Sequence, residues 1–256
     1  MKKRRWNEKP TNGTKTKNRK ALERKTLKHM NKILIIGGSK GIGNAIMKSL
    51  IDENLIVNLS RTSPLITHQN LTHIDCNVLT DELPEIEKID SLIYCPGSIN
   101  LKPISRLKLD DFRNDFEINV IGAVKTIQHY LPSLKKGTDP NILLFSTVAA
   151  KLGMPFHASV AAAKSAVEGL TKSLGAELAP SIRVNAIAPT VTDTTLASKL
   201  LRNERMIENI TERHPLKKYL HPKEVADMAS FLISDKATSI SGQIFELDCG
   251  IVTFKI

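Results

Sequence analysis

Residues 33–43 read Ile-Leu-Ile-Ile-Gly-Gly-Ser-Lys-Gly-Ile-Gly, four apolar residues followed by a glycine cluster. The apolar run is typical of a buried parallel strand, and the residues after Gly41 have the apolar spacing of a helix. A strand that turns through glycines into a helix directs free backbone N–H groups and the positive end of the helix dipole at one point, which suits a phosphate. This strand–turn–helix context predicts nucleotide binding, although a plain strand–helix connection can also contain such a turn.

Apolar runs alternate with helical patterns from Asn31 onward. Seven strands are predicted, at 33–36, 55–59, 71–75, 91–95, 142–146, 183–188 and 243–247. Helices are predicted between them, at about 42–53, 80–88, 110–134, 157–179 and 222–233. The alternation predicts one α/β domain over residues 31–256, a doubly wound parallel seven-stranded sheet of the Rossmann type. The stretch 190–220 has a broken helical pattern and is interpreted either as a lid or as ordinary surface helices.

The positive charge of the chain is concentrated near its first residue. The formal net charge is +11, and residues 1–30 hold twelve Lys/Arg against two Asp/Glu. The rest is close to neutral, so nucleic acid is not an expected partner of the domain. Residues 1–30 lack apolar periodicity and are predicted to be disordered. Three interpretations stay open for this tail: a nucleic-acid or anionic-surface arm, a targeting extension, or an artefact of a start codon placed upstream of Met30.

Cysteine and histidine spacing gives no sign of a metal site. Cys76, Cys95 and Cys249 are far apart without a CxxC pair, and the seven histidines form no HxxxH pattern. We therefore expect no metal and reduced thiols in a cytoplasmic protein. No apolar run has the length of a membrane span, and the tail lacks the apolar core of a secretory signal.

Several further motifs follow the glycine turn in a fixed order. They are Asn119-Val-Ile-Gly122, Asn185-Ala-Ile-Ala-Pro189, and Ser241-Gly242-Gln243 leading to Asp248-Cys249-Gly250. With these motifs the chain resembles the classical short-chain dehydrogenase/reductase family from Asn31 to its end, and most closely the pattern of 3-oxoacyl-carrier-protein reductases and related carbonyl reductases. The resemblance implies a nicotinamide cofactor, a small carbonyl or alcohol substrate, and a homo-oligomer, a dimer or tetramer built on the helix at 157–179.

The predicted cofactor is NADP(H) rather than NAD(H). An NAD site needs a carboxylate at the end of the second strand for the ribose hydroxyls, but this strand is followed by Ser60 and Arg61. Arg61 and Lys40 suit a 2′-phosphate, because a guanidinium binds phosphate in a bidentate manner; the alternative is two solvated surface cations. The resemblance implies further cofactor contacts at Gly37, Ser39, Gly41, Ile42, Gly43, Asn77, Val78, Gly97, Lys164, Pro189 and Thr194.

Some positions depart from the family's cofactor motifs. Ile36 replaces the usual threonine before the glycine turn, and Asn77 replaces an aspartate. Of the family's Asn-Asn-Ala-Gly after the fourth strand, only Gly97 survives in Tyr94-Cys95-Pro96-Gly97. Thr190 follows Pro189 where a glycine is usual. These changes affect the expected affinity more than the position of the site.

The resemblance also implies a catalytic Asn, Ser, Tyr and Lys. Asn119 and Lys164 match the first and last, and Thr147 stands at the serine position with its hydroxyl retained. Val160 stands four residues before Lys164, where the family has the tyrosine that donates the proton. Valine cannot donate or accept a proton. His157 is a possible substitute acid, against its interpretation as a histidine that merely begins the helix.

The expected function is that of an atypical NADP(H)-dependent oxidoreductase of the short-chain type. A positioned general acid contributes about 10²–10⁴-fold to rate, so its loss predicts slow or altered chemistry. The alternative is a catalytically impaired NADP(H)-binding protein, a pseudoenzyme that acts as a sensor or an assembly partner.

Overall fold

A single parallel sheet forms the centre of the unit that begins at Asn31. The computed structural model describes residues 30–254, and residues from Asn31 onward form one unit. The prediction for the basic tail, residues 1–29, lies outside the described residues. The strands are β1 Lys32–Ile36, β2 Leu55–Ser60, β3 Leu71–Asp75, β4 Ser91–Tyr94, β5 Asn141–Phe145, β6 Arg183–Pro189 and β7 Ile244–Leu247.

The sheet has the order β3-β2-β1-β4-β5-β6-β7, and every neighbouring pair is parallel. The predicted α/β doubly wound fold is therefore confirmed. The direction of strand order reverses between β1 and β4, and ligands of such sheets bind beyond the carboxyl ends of the strands at that point. Strands β4, β5 and β6 are buried along their whole length, which explains their nearly continuous apolar sequences.

Helices cover both faces of the sheet. They are α1 Gly41–Leu50, α2 Leu109–Phe116, α3 Gly122–Leu134, α4 Ala158–Glu177, α5 Glu204–Arg213 and α6 Pro222–Ile233. Ile33 and Ile35 of β1 pack in the core that includes α1 and α6. Leu34 and Ile36 pack in the opposite core, which includes α3 and α4. This alternation follows from the two-residue period of a strand. None of the helices described over residues 30–254 is long and apolar enough to cross a membrane.

The predicted helix at 80–88 is wrong. Its leucine and isoleucine have helical spacing, and both Leu83 and Ile86 are buried, but the segment between β3 and β4 contains no helix. Pro84 lies in its middle and disfavours the helical conformation of the preceding residue. The Pro84 carbonyl oxygen instead accepts a hydrogen bond of 2.8 Å from the Tyr130 hydroxyl of α3.

The stretch 190–220 contains one regular helix, α5, after a short helical turn at Thr195–Ala197. The C-terminal end of this segment is hydrogen-bonded to the residue that follows β6, because the buried Thr190 hydroxyl and His214 Nε2 lie 2.7 Å apart. His214 Nδ1 lies 2.7 Å from the Ile210 carbonyl oxygen, which can only accept, so Nδ1 carries a proton and donates it to this oxygen. The hydrogen bond between Thr190 and His214 therefore holds the C-terminal part of the segment next to the end of β6.

Candidate active site

The glycine turn after β1 has the backbone shape that the sequence predicts. Gly37 and Gly41 have positive φ values of 78° and 55°, a region that side chains rarely tolerate. A Cβ atom on Gly43 would overlap the Gly37 carbonyl oxygen, so α1 begins against the strand end. No side chain caps α1 at Lys40, and its first N–H groups are left for a ligand. The turn therefore has the open backbone geometry that a phosphate-binding turn requires.

Two cations stand beside this turn. Lys40 and Arg61 are exposed, and neither side chain forms a hydrogen bond or ion pair within residues 30–254. Ser39 of the turn places the end of β2 close by, since its hydroxyl lies 3.0 Å from that of Thr62. Asn58 of β2 is fully buried and accepts a 2.8 Å hydrogen bond from the Gly38 N–H. Asn58 is engaged by the turn itself, whereas the exposed Arg61 side chain has no partner within residues 30–254.

The turn meets the proposed catalytic residues through Pro96 and Gly97. A Cβ on Gly37 would lie 3.3 Å from the Pro96 ring. A Cβ on Gly97 would lie 3.4 Å from Asn119 Oδ1 and 3.7 Å from Lys164 Nζ. The Pro96–Gly97 segment follows β4, so it crosses the sheet edge at the point where strand order reverses. It brings the glycine turn, Asn119 and Lys164 into one site.

Asn119 lies in a single π-helical turn, Glu117–Ile121, between α2 and α3. The Gly122 N–H there bonds to the Glu117 carbonyl, five residues back, instead of Ile118. The Ile118 carbonyl accepts a 2.7 Å hydrogen bond from the Tyr94 hydroxyl instead. A Cβ on Gly122 would overlap that hydroxyl. Tyr94, a departure from the family motif, thus stabilises the wider turn; such turns often lie at functional sites.

Lys164 is buried, with 8 % of its surface exposed. Its Nζ donates a 2.7 Å hydrogen bond to the Phe145 carbonyl oxygen at the end of β5. Burial lowers the pKa of Lys164 to about 8, with Cys95 and the Asp115 carboxylate acting in the opposite direction. Glu168, one turn further along α4, accepts a 2.8 Å hydrogen bond from Ser146. Lys164 therefore has unused donors within the site and a proton that is exchangeable near neutral pH.

The other predicted catalytic positions surround the start of α4. Thr147 uses its hydroxyl oxygen to accept a 3.3 Å hydrogen bond from the Ala149 N–H. Val160 lies in the first turns of α4 and is 5 % exposed. His157 precedes the helix, and its Nδ1 lies 2.7 Å from the Pro155 carbonyl oxygen, which leaves Nε2 free. The structure gives His157 no hydrogen bond to Asn119 or Lys164 among the described residues, so its role as an acid stays a prediction.

Four remaining cofactor positions lie around the same sheet edge. Thr194 contacts the glycine turn, since a Cβ on Gly41 would lie 3.3 Å from its methyl group. Pro189 is buried as the last residue of β6. Val78 is buried in the core, which leaves only its backbone for a ligand, and Asn77 Oδ1 accepts a 3.3 Å bond from the Leu79 N–H. The Asn77 amide nitrogen stays available for hydrogen bonding.

A cavity of about 780 Å³ lies beside Gly41 and Thr194, between α1 and the start of α6. Lys48, Lys223 and Asp227 also line it, but Asn119, Thr147 and Lys164 do not. It therefore touches the predicted cofactor site at Gly41 and Thr194 only. Within residues 30–254, no three His, Cys, Asp or Glu side chains gather into a possible metal site.

Ser98 and Asp115 also belong to this site, and the sequence did not single them out. Asp115 is completely buried, and Ser98 donates a 2.6 Å hydrogen bond to its Oδ1. Asn119 donates to both of these residues, at 3.1 Å to the Ser98 hydroxyl and 2.7 Å to the Asp115 carbonyl. The available signal was the spacing of four residues between Asp115 and Asn119, which places both on one helix face.

The residues fit a nicotinamide dinucleotide. The glycine turn is a cradle that a Cβ would fill, and Asn119 Oδ1 is a buried acceptor without a hydrogen bond within the described part of the chain. Gly37, Ser39, Gly41, Ile42 and Gly43 would hold the diphosphate, and Lys164 would hold the nicotinamide ribose.

Comparisons with known proteins point to one family of oxidoreductases. The family described as enoyl-(acyl carrier protein) reductase matches residues 75–252. The 3-oxoacyl-[acyl-carrier-protein] reductase FabG of Rickettsia felis is 30% identical over 232 residues, which cover 86% of this chain and 95% of the relative. Carbonyl reductase [NADPH] 2 of Sus scrofa is 26% identical over 230 residues, 85% of this chain and 94% of the relative.

The fold is also similar to that of a solved relative. The aldohexose dehydrogenase of Thermoplasma acidophilum superposes with a TM-score of 0.80 at 26% identity, covering 88% of this chain and 96% of that structure. The seven parallel strands, the glycine cradle at the point of reversal and the matching relatives lead to one conclusion. The chain belongs to the short-chain dehydrogenase/reductase family, oxidoreductases that act on carbonyl or alcohol substrates with nicotinamide cofactors.

Proposed function

We propose that this chain is an atypical NADP(H)-dependent oxidoreductase that reduces a carbonyl compound or oxidises the corresponding alcohol. The observation that carries the proposal is the meeting of Asn119 Oδ1 and Lys164 Nζ at Gly97, next to the glycine turn. A bound nicotinamide supplies a hydride at this edge of the sheet.

NADP(H) is favoured over NAD(H) by the charges at the end of β2. Arg61 and Lys40 are exposed and free of ion pairs within residues 30–254, so they are available for a 2′-phosphate. No carboxylate follows β2 directly to bind ribose hydroxyls. A relative whose name includes NADPH, the carbonyl reductase of Sus scrofa, supports the same preference.

The chain's own residues would have the following roles in the reaction. Asn119 and Thr147 orient the substrate oxygen, the latter through the hydroxyl proton that its helix cap leaves free. A water or His157 supplies the proton to that oxygen. Lys164 can return a proton to such a water near neutral pH, because burial lowers its pKa to about 8. Reduction through this route is slower than with a tyrosine that is already in place.

A second function is favoured by Val160. Its apolar side chain is buried where the family's acid stands, so the chain can hold NADP(H) without turnover. In that case the protein acts as a sensor of the cofactor or as an assembly partner. We also propose a cytoplasmic location, for which reduced thiols are typical, and Cys76, Cys95 and Cys249 are free thiols.

We also propose that the protein forms a homo-oligomer. The exposed side of α4 presents small residues, including Ala162, Ser165, Gly169 and Ala176. Small side chains allow two helices to approach closely, which supports a dimer or tetramer built on this helix. Light scattering on the purified protein gives its mass directly.

Turnover separates the two functions. We would screen 3-oxoacyl thioesters and simpler ketones with NADPH, using the wild-type protein, Val160→Tyr and Val160→Phe. We expect slow reduction by the wild type and a rate about 10²–10⁴-fold higher with Val160→Tyr, because a positioned acid contributes that much. Val160→Phe controls for the added bulk and should stay at the wild-type rate. If only Val160→Tyr turns over, the non-catalytic function is correct for those substrates.

A further inference from the structure

The polar groups behind Asn119 form a buried chain that ends at a carboxylate. Asp115 is 0 % exposed, and its Oδ1 accepts hydrogen bonds from the Ser98 hydroxyl at 2.6 Å and the Asn100 amide at 3.0 Å. Its Oδ2 has no hydrogen-bond partner in the part of the chain that the structure describes. A buried carboxylate is costly unless something in its surroundings uses its charge.

The donor and the acceptor of each hydrogen bond in this buried series of polar groups follow from the chemistry of the atoms. The Asp115 carbonyl oxygen can only accept, so the Asn119 atom 2.7 Å from it is the amide nitrogen. The Asp115 carboxylate likewise accepts, so the Ser98 hydroxyl donates to it and accepts from Asn119 at 3.1 Å. Both protons of the Asn119 amide are therefore used on this side. Asn119 Oδ1 is held on the other side, near Gly97 and Lys164 Nζ.

Lys164 faces few other charges. Asp115, from α2, favours its charged form, as Cys95 after β4 would do only as a thiolate, while β5 offers only the Phe145 carbonyl. Glu168 on its own helix is engaged by the Ser146 hydroxyl. Burial raises the pKa of the Cys95 thiol to about 12, so this thiol is neutral under ordinary conditions. Asp115 is thus the carboxylate on a neighbouring element that acts on Lys164.

We infer that Asp115 is a positioning residue of the active site, which through Ser98 fixes the Asn119 amide and serves as the counter-charge of the Lys164 ammonium. This role accounts for the presence of a buried carboxylate at Asp115. It keeps the acceptor oxygen of Asn119 toward the cofactor edge, and it keeps Lys164 protonated where the tyrosine is missing. The benefit to carbonyl reduction rests on the proposed function, but the positioning and the charge effect do not.

The charge effect can be measured on the protein without cofactor. We would follow the pKa of Lys164 by NMR of its side-chain carbon or nitrogen, with Lys164→Arg to assign the signal. Asp115→Asn keeps the side-chain size and removes the charge. We expect it to lower the pKa of Lys164 by roughly one unit, the low end for a neighbouring charge. Asp110→Asn is the matched control, since Asp110 lies on the same helix in an exposed pair with Arg113, and it should change nothing.

The positioning effect needs a second variant, which also serves if Asp115→Asn does not fold. Ser98→Ala removes the hydroxyl that links Asn119 to Asp115 and keeps the charge. We expect the side-chain amide protons of Asn119 to exchange with solvent at least tenfold faster in Ser98→Ala than in the wild type. The pKa of Lys164 should move much less than in Asp115→Asn.

Two results would overturn the inference. One is a Lys164 that titrates identically in the wild type and a folded Asp115→Asn. The other is an Asn119 amide that exchanges equally fast with and without the Ser98 hydroxyl. Neither measurement involves NADPH or a substrate, so a failure here is distinct from a failure of the proposed reductase function.

Discussion

The glycine turn and the start of α4 lie at the same edge of the sheet, but they differ in which of the family's motif residues they contain. At the turn, Gly37, Gly41 and Gly43 are all present, and the backbone has the positive φ values that a phosphate cradle needs. At α4, Lys164 is present, but Val160 stands where the resemblance to the family implies the tyrosine that donates the proton. Cofactor binding depends on backbone shape over many residues, whereas proton donation depends on one hydroxyl. The two properties can therefore be lost separately.

The largest effect is expected from Gly43→Ala, which attacks the turn. The added Cβ overlaps the Gly37 carbonyl oxygen, so α1 must move away from the strand end. Loss of charge-assisted hydrogen bonds of about 1.5–3 kcal/mol each should weaken NADPH binding about 100-fold. The overpacking should also lower the free energy of unfolding by about 1–3 kcal/mol. A fluorescence titration and urea unfolding measure the two effects.

Gly153→Ala is the control for that substitution, because a Cβ there has no neighbour within 4 Å. Its NADPH affinity and its stability should match those of the wild type. If Gly43→Ala behaves like Gly153→Ala, the turn is not the cofactor cradle.

Lys164→Met tests the buried amine of the other region. Burial lowers the pKa of Lys164 from its ordinary 10.5 to about 8, a difference worth about 3 kcal/mol. Between these values the unfolded chain binds more protons than the folded one, so stability rises with pH. The free energy of unfolding of the wild type should therefore rise by about 3 kcal/mol more than that of Lys164→Met between pH 8 and pH 10.5. Parallel pH curves from urea unfolding would show that Lys164 is not buried as described.

Arg61→Ala should have a smaller effect, confined to the choice of cofactor. A charged hydrogen bond to a 2′-phosphate is worth about 1.5–3 kcal/mol, so NADPH affinity should fall about 10–100-fold. NADH lacks this phosphate, and its dissociation constant should be unchanged. Equal weakening of both cofactors would instead mean that Arg61 supports the fold of the strand end.

The two regions also differ in how far sequence could predict them. Strand positions were predicted to within a residue or two, because the buried strands are almost purely apolar and glycines bound the first. The prediction of a helix at 80–88 was wrong because Leu83 and Ile86 have helical spacing for another reason. Both side chains cover the core from a non-helical segment around Pro84.

The site could be predicted only where a motif names its residues. The resemblance named Asn119 and Lys164, and the structure brings both side chains next to Gly97. The roles of Ser98, Asp115 and Tyr94 could not be predicted, because their hydrogen bonds join segments that only the folded chain brings together. The π-helical turn at Glu117–Ile121 likewise depends on the Tyr94 hydroxyl, which comes from a different strand.

The most direct test of the comparison is a titration of NADPH and NADH into the wild type, Val160→Phe and Val160→Tyr. If binding is independent of the missing acid, all three proteins bind NADPH saturably, with dissociation constants within about threefold of one another, and bind NADH about tenfold more weakly or worse. A wild-type protein that does not bind NADPH, or that binds it only after Val160 becomes tyrosine, would contradict the account.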